Sequence, residues 1–560
     1  MHRIMRVTLG ICLAVLSCGE AAAGDGPVDW SGFYLGAHVG AFTGTTAFSN
    51  PGGSSLYGDA VTTPGFAGGL QAGYNWLATP QWLLGVEAEG SILSSQGNNT
   101  CLQSTPDIIG SNCKATPRET LTFAGRVGYL PEPHGRTMLF AKGGGAWLRS
   151  DLSVNPNNAF GPIGGFTGTL TGDPAEQNAP STMSASTWGW TLGAGVEYAL
   201  PSNWSVKMEY DYLRFANATV NSPATISVTP GGVVTGIPPQ GPASVTQDLH
   251  FVKLGLNYRW GGASKPASGD WAANSEAAPP WVPGWEFELG ARYWYSWAKY
   301  QGANGATHDV LVSRLTYDHM PGHSGEVVAR LDSPFNVFAK GFVGGGIISG
   351  GTLVDEDWGI GTNTDGTDPE SYSNTQSGLS GSFSYLTADL GYNLVRGPDH
   401  KVGLFVGYNR YQISMDAHGC AQTVPNAGTC SPAIPSDVNG ISETDTWHSL
   451  RTGVAAETRI AERLRLNADI AYLPYVWVQA LDTHRLRSLY FPVEGSGQGV
   501  QAEVFLSYQA TEALSIGIGG RYWAMWTTNA YQTDNAGNAF SINTERYGVL
   551  VQASWKFGPH

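Results

Sequence analysis

From Trp30 onward the chain is built of segments whose apolar side chains fall on every second position, each about ten residues long, the length of a strand that crosses a bilayer at a tilt. In residues 82–92, Leu84, Val86 and Ala88 share one face, while Glu87 and Glu89 share the other. Leu121, Phe123, Val127 and Tyr129 lie opposite Arg126, and Trp188, Trp190, Leu192, Ala194, Val196 and Tyr198 lie opposite Glu197. Val206, Met208, Tyr210 and Tyr212 oppose Lys207, Glu209 and Asp211, and Val252, Leu254, Leu256, Tyr258 and Trp260 oppose Lys253. A soluble sandwich also alternates. Three details favour a membrane barrel: Gly and Ala fill many strand positions, Trp and Tyr gather at strand ends, and short connections alternate with long ones.

Composition removes the competing classes. Aromatic residues make up 11% of the chain and charged residues only 13%, so it is neither disordered nor a coiled coil. The net charge of −15 lacks the basic face a nucleic-acid binder needs, so no nucleic-acid partner is expected. No apolar run is long enough for a helical span. The expected fold class is all-β: two antiparallel transmembrane β-barrels in tandem, about eight strands and then about ten.

The N-terminus sets the compartment. Arg3 and Arg6 precede an apolar run over residues 7–16, and Ala21, Ala22 and Ala23 offer a small-residue cleavage site, which together read as a signal peptide over residues 1–23. Cys12 and Cys18 leave with it; the residues before Cys18 suit a lipidation site poorly. The four remaining cysteines form two close pairs in polar surroundings, Cys101 with Cys113 and Cys420 with Cys430. Two loop disulfides in an oxidising compartment are expected, and neither spacing is of the tight zinc type, so no metal is.

Eight strands are expected over residues 24–260, with short turns near 78–81, 131–136 and 201–203. The inward charges Glu87, Glu89, Arg126, Lys142, Glu197, Lys207, Glu209 and Lys253 are mixed in sign, and an eight-stranded barrel has little room beyond its side chains, so a paired polar core is expected. The opening Asp29, Trp30, Ser31, Gly32, Phe33 and Tyr34 and the strand plan over 29–260 resemble the small surface-antigen and porin-like barrels of alphaproteobacterial outer membranes. That resemblance implies fold and location in the bacterial outer membrane, but no chemistry.

Residues 261–283, rich in Gly, Ala, Ser and Pro and without a period, read as a linker. An even-stranded barrel returns its chain to the side it started from, so the linker is expected to be periplasmic. Over residues 284–560 ten strands are expected, with 311–332 as one long bent strand. The short turns at 333–334, 397–400, 462 and 510–512 then fall on one side. The long loops 349–381, 416–445, 480–497 and 527–544 fall on the other, outer side.

Two of those outer segments carry chemistry. Asp355, Glu356, Asp357 and Trp358 set two carboxylates two residues apart, and Asp482, Thr483 and His484 set a carboxylate near an imidazole. A carboxylate orients a neighbouring His and makes it a better general base, while two close carboxylates repel, so that one keeps a proton and the pair can hold a water. Each motif alone also fits solvated loop residues. A second Asp-x-His, at Asp416 and His418, reads as a chance match. His319, His323 and Glu326 lack a metal spacing and read as structural, and the glycine run 341–350 lacks the Lys of a phosphate loop.

The Val-Asp-Glu-Asp-Trp run together with Asp-Thr-His resembles the omptin family of outer-membrane endopeptidases, over residues 285–557 in strand order as well as motif. The resemblance implies a ten-stranded barrel acting on polypeptides without a cofactor. It assigns Asp355 and Asp357 as the carboxylate couple, His484 as general base and Asp482 as its orienting partner. It also implies outer-membrane lipid as surroundings and a dependence on lipopolysaccharide, for which the exposed Arg485 and Arg487 are the candidates. One departure bears on specificity: omptins that cut at basic residues line their pocket with acids, whereas two residues before Asp482 stands Ala480, and the first strand tip carries Trp297, Ala298 and Lys299. Two other functions compete: a non-enzymatic surface protein, structural or adhesive, and one eighteen-stranded porin, which separate closure of the two strand sets would exclude.

Overall fold

A computed structural model describes residues 28–49, 60–104, 109–131, 135–155, 180–200, 202–223, 225–229, 233–237, 241–260, 283–305, 311–358, 372–423, 430, 432–534 and 539–558. The expected leader and all but the last residue of the expected linker lie outside these.

The first strand set is β1 (Gly32–Phe48), β2 (Ala60–Leu77), β3 (Trp82–Ser95), β4 (Gly97–Ser104), β5 (Ile109–Tyr129), β6 (Thr137–Asn155), β7 (Ser181–Ala199), β8 (Trp204–Phe215), β9 (Ala218–Asn221), β10 (Thr225–Thr229), β11 (Val233–Ile237) and β12 (Pro242–Trp260). Strands β1, β2, β3, β5, β6, β7, β8 and β12 pair in that order, and β1 closes on β12 from Phe33 opposite Trp260 to Phe48 opposite Val245. The remaining four are additions: β4 lies on β5, β9 on β12, and β10 and β11 pair with each other.

Alternation decides the faces. Leu70, Leu84, Val86, Phe123 and Leu192 point out and are exposed, whereas Glu87, Glu89, Arg126, Lys142, Lys207, Glu209 and Lys253 are buried inside. Lys207 Nζ lies 2.8 Å from Glu87, 2.8 Å from Glu89 and 3.0 Å from Glu209. Arg126 bonds Glu197 at 2.7 Å, and Asp211 joins through Lys142 and Lys253. The inward charges therefore form the paired core expected of a small barrel, because an uncompensated charge in that space would be costly. Outside, the Trp82 ring packs at a tilt on Tyr129 and the Phe33 ring on Trp260 at the short-turn end, an interfacial aromatic girdle.

The second set is β13 (Glu286–Gly305), β14 (Leu311–Asp332), β15 (Val337–Ile348), β16 (Thr352–Trp358), β17 (Tyr372–Arg396), β18 (His400–Gln422), β19 (Ile434–Ala461), β20 (Leu464–His484), β21 (Leu489–Gln509), β22 (Leu514–Gln532) and β23 (Ala539–Phe557). All but β16 close a ten-stranded wall in which β13 pairs with both β14 and β23. The two sets close separately, which excludes one eighteen-stranded porin. Strand β14 is a single strand. Its irregularity lies at a bulge opposite Ala298 and Tyr300 and at the positive φ of His319, just before Pro321.

The outer loops differ from expectation. Much of 372–381, 416–422, 434–445, 480–484, 489–497, 527–532 and 539–544 is strand, so the walls rise far above the apolar band. There the outward face meets water and no longer needs apolar side chains. The alternation that marks a membrane strand fades while the backbone ladder continues.

Candidate functional site

The tall wall of the second barrel encloses a packed lumen. Trp294, Phe383, Tyr385, Tyr411 and Trp523 form an aromatic layer, and the Arg521 guanidinium sits over the Trp294, Phe342 and Trp523 rings while bonding Glu326 and Glu503. Above this layer the inward positions turn acidic.

Strand β16 is inserted between the upper parts of β14 and β17, with Asp355 opposite Leu315 and Thr375. Leu353 belongs to the lumen core, so by alternation Asp355 and Asp357 face inward and Glu356 outward. Across the mouth, β20 ends in Asp482, Thr483 and His484; these lie on a strand end, not in a loop. His484 Nε2 is 3.0 Å from Asp482 Oδ2, and the Arg487 guanidinium donates to His484 Nδ1 at 2.5 Å. Since a guanidinium only donates, Nδ1 is the acceptor and Nε2–H donates to Asp482. The His484 ring also meets Phe491 edge-on at 5.3 Å.

The two halves sense each other's charge. Burial raises the Asp355 carboxyl well above the usual range, and the Asp357 and Asp482 carboxylates push it further, against the pull of Arg487. A carboxyl so placed keeps its proton to higher pH, which gives the couple both a donor and an acceptor.

Sequence reasoning missed four residues here. Glu443 and Asp445 on β19 lie in a stretch expected to be loop; they stand directly across from Asp482 and Ala480. Both are buried and both carboxyls are raised, chiefly by burial, Asp445 to about 6. The Tyr300 hydroxyl and the Trp447 indole approach Asp445, yet among the described residues no hydrogen bond of good geometry reaches either of its oxygens. Tyr317 is fully buried beside Tyr300, and Glu443, Asp482, Asp355 and Asp445 all act on its hydroxyl to hold its proton on. The ladder between β19 and β20 was the missing signal, since residues far apart in sequence become neighbours only through register.

The other singled-out residues stay apart from this site. Cys101–Cys113 and Cys420–Cys430 are both formed, with Cα atoms 5.7 and 5.8 Å apart. His418 bonds Ser380, while Asp416 bonds Asn439 and Ser442. His323 bonds Tyr293 on the outer surface and Glu326 pairs with Arg292 and Arg521 inside, so they form no cluster. In the first barrel Glu87, Glu89 and Glu209 come close enough to share a cation, a role the Lys142, Lys207 and Lys253 ammonium groups already fill.

Comparison with known proteins finds a different family in each half of the chain. Residues 10–230 match the family model of the outer membrane protein beta-barrel domain, and residues 338–549 match that of the omptin family. The chain is 28% identical over 268 residues to the 31 kDa outer-membrane immunogenic protein of Brucella melitensis, covering 46% of this chain and 95% of the relative. It is 28% identical over 183 residues to the 22 kDa outer membrane protein of Rhizobium leguminosarum, covering 33% of this chain and 63% of that one. Among solved structures it is similar to the outer membrane protease OmpT of Escherichia coli, at 16% identity and a TM-score of 0.37, over 49% of this chain and 96% of that one. Neisserial surface protein A matches at 14% identity and a TM-score of 0.19, over 41% and 98%. The family matches and the curated relatives place the protein in the bacterial outer membrane.

Proposed function

We propose, for an outer-membrane chain that carries an omptin-family domain behind an outer membrane protein beta-barrel domain, that the second barrel is an endopeptidase working at the cell surface. The observation that carries this reading is the hydrogen-bonded Asp482–His484 pair set across the mouth from the charge-coupled Asp355 and Asp357.

In this mechanism the carboxylate couple holds a water, with protonated Asp355 donating and Asp357 accepting. His484 takes a proton from that water as its oxygen attacks the scissile carbonyl carbon, and Asp482 stabilises the imidazolium. The C–N bond breaks, and the departing amine takes the proton from His484. His484 Nε2 is engaged with Asp482, so Nδ1 is the basic atom, and Arg487 has to leave it first. Arg487 lies in the exposed turn after β20, where anionic groups reach it. Lipopolysaccharide is the lipid partner in this reading, its phosphates competing with His484 for that guanidinium.

The substrate is a polypeptide. Asp445, across from Ala480, supplies negative charge below the catalytic groups once it ionises, which favours a cationic side chain next to the cut. The test is cleavage of a mixed peptide library by the refolded protein with lipopolysaccharide, beside His484→Ala. Cleavage that falls by about 10²–10⁴-fold in the variant supports the protease. Equal cleavage by both, or none by the parent, leaves a non-enzymatic surface protein.

A further inference from the structure

The two barrels touch along their outer faces. On the second barrel, Ile470, Val500, Ala502, Ala524 and Trp526 point away from the lumen yet are buried, in one cluster with Ala41 and Leu254 of the first. Elsewhere on the same wall, Val327, Ile347, Leu390 and Val406 stay more than half exposed. Small residues at the contact let the two sheets approach. The Phe66 and Tyr472 rings meet at a tilt, 4.8 Å apart, and Ser94 bonds Gln498 at 3.3 Å. Glu545 is an outward carboxylate on β23, 9% exposed, and Thr43 of the first barrel bonds it at 3.4 Å. An outward carboxylate near the membrane boundary is costly against lipid, and the neighbouring barrel covers this one.

The contact continues above the membrane and ends on Glu356, the residue between the two aspartates. Its side chain bonds Arg314 on β14 at 3.0 Å and Thr100 on β4 at 2.5 Å. Arg314 also donates to Asn112 at 2.9 Å, to Asn98 at 3.2 Å and to Thr100, and its guanidinium lies over the Trp358 ring. The Trp358 indole donates to the Gly110 carbonyl at 2.9 Å. Asn98, Thr100, Gly110 and Asn112 all belong to the β4–β5 hairpin, which Cys101–Cys113 clips together. Arg314 and Glu356 are 0% and 2% exposed. An uncovered ion pair at a barrel rim would be screened by water and hold little; beneath this hairpin it is shielded and fully bonded.

We propose that the first barrel is a positioning module. Its β4–β5 hairpin clamps the outward Arg314–Glu356 pair and thereby holds the inward Asp355 and Asp357 at the mouth. The need is physical: Asp355 and Asp357 repel each other, and β16 is a seven-residue strand between β14 and β17, set off from β15 by the break at 349–351, so a hold on its outer face opposes their separation. The catalytic consequence rests on the reading of Asp355 and Asp357 as the water-holding couple; the clamp itself does not.

The test uses the full chain, refolded with lipopolysaccharide, as Thr100→Val with Asn112→Leu and as Thr100→Ser alone. The double variant is expected to speed amide exchange in residues 352–358 by about tenfold, with β13 and β23 unchanged, because charge-assisted bonds of this kind contribute at that scale. Its kcat on a cleaved peptide is expected to fall by about tenfold with KM within about twofold, and Thr100→Ser to keep both near the parent. Unchanged exchange overturns the clamp, and faster exchange with unchanged kcat overturns the positioning role. A parent that cleaves nothing counts against the catalytic reading alone, since exchange still decides the clamp. Should the double variant fail to fold, Thr43→Cys with Glu545→Cys decides the docking by whether the engineered pair cross-links in the membrane.

Discussion

The lumen of the first barrel and the mouth of the second both gather carboxylates, and they treat them in opposite ways. In the first, Glu87, Glu89, Glu209 and Asp211 surround Lys142, Lys207 and Lys253 at hydrogen-bond distance, so every charge has a partner and the set behaves as packing. In the second, Asp355, Glu443, Asp445 and Asp482 converge around Tyr300 and Tyr317, Asp357 lies beside Asp355, and the charge that opposes this repulsion at Asp355 is that of Arg487. Balanced charge holds a barrel shut. Unbalanced charge raises carboxyl pKa values and leaves groups ready to bind or move a proton.

The largest expected effect separates the two regions outright. Asp482→Asn should lower kcat by about 10²–10⁴-fold, since the imidazole loses the partner that orients it and stabilises its charge, with the folded-barrel gel mobility unchanged. Lys207→Met should do the reverse, leaving cleavage intact where the protein folds. It should cost about 3–5 kcal/mol in a urea unfolding series, because Glu87, Glu89 and Glu209 lose a shared cation. A Lys207 variant as stable as the parent would sink the view of the first lumen as a balanced core.

A smaller effect concerns selectivity. Asp445→Asn should reduce the preference for a cationic over a neutral residue at the cut by about tenfold, leaving turnover of the neutral peptide near the parent's. The same residue gives a pH dependence of stability. Its carboxyl rises from 3.8 to about 6 on folding, so the folded state binds the proton more tightly than the unfolded one. Stability is therefore greatest below pH 3.8 as far as this group is concerned and declines as pH rises towards about 6. Asp445→Asn should flatten that decline and stabilise the protein above pH 6, read from unfolding midpoints across the range. Selectivity for the cationic peptide should grow as pH rises through about 6, where the folded Asp445 ionises.

The two barrels are legible in the sequence alone. Alternation around Glu87, Arg126, Glu197, Lys207 and Lys253 follows from local chemistry, because each strand must present apolar atoms to lipid and hide its charges, and no distant residue changes that requirement. It also picked out Asp355, Asp357, Asp482 and His484, whose spacing of two puts both members of each pair on one face of a strand. Contacts across strands and between barrels depend on the folded chain. Asp445 meets Ala480 through the β19–β20 register, and Thr100 meets Glu356 across 256 residues of chain. Above the membrane the outward face is free of lipid, so the pattern that marks strands fades there. The acids on the tall walls become a site, and the first barrel's hairpin a clamp, only when pairing and docking bring them together.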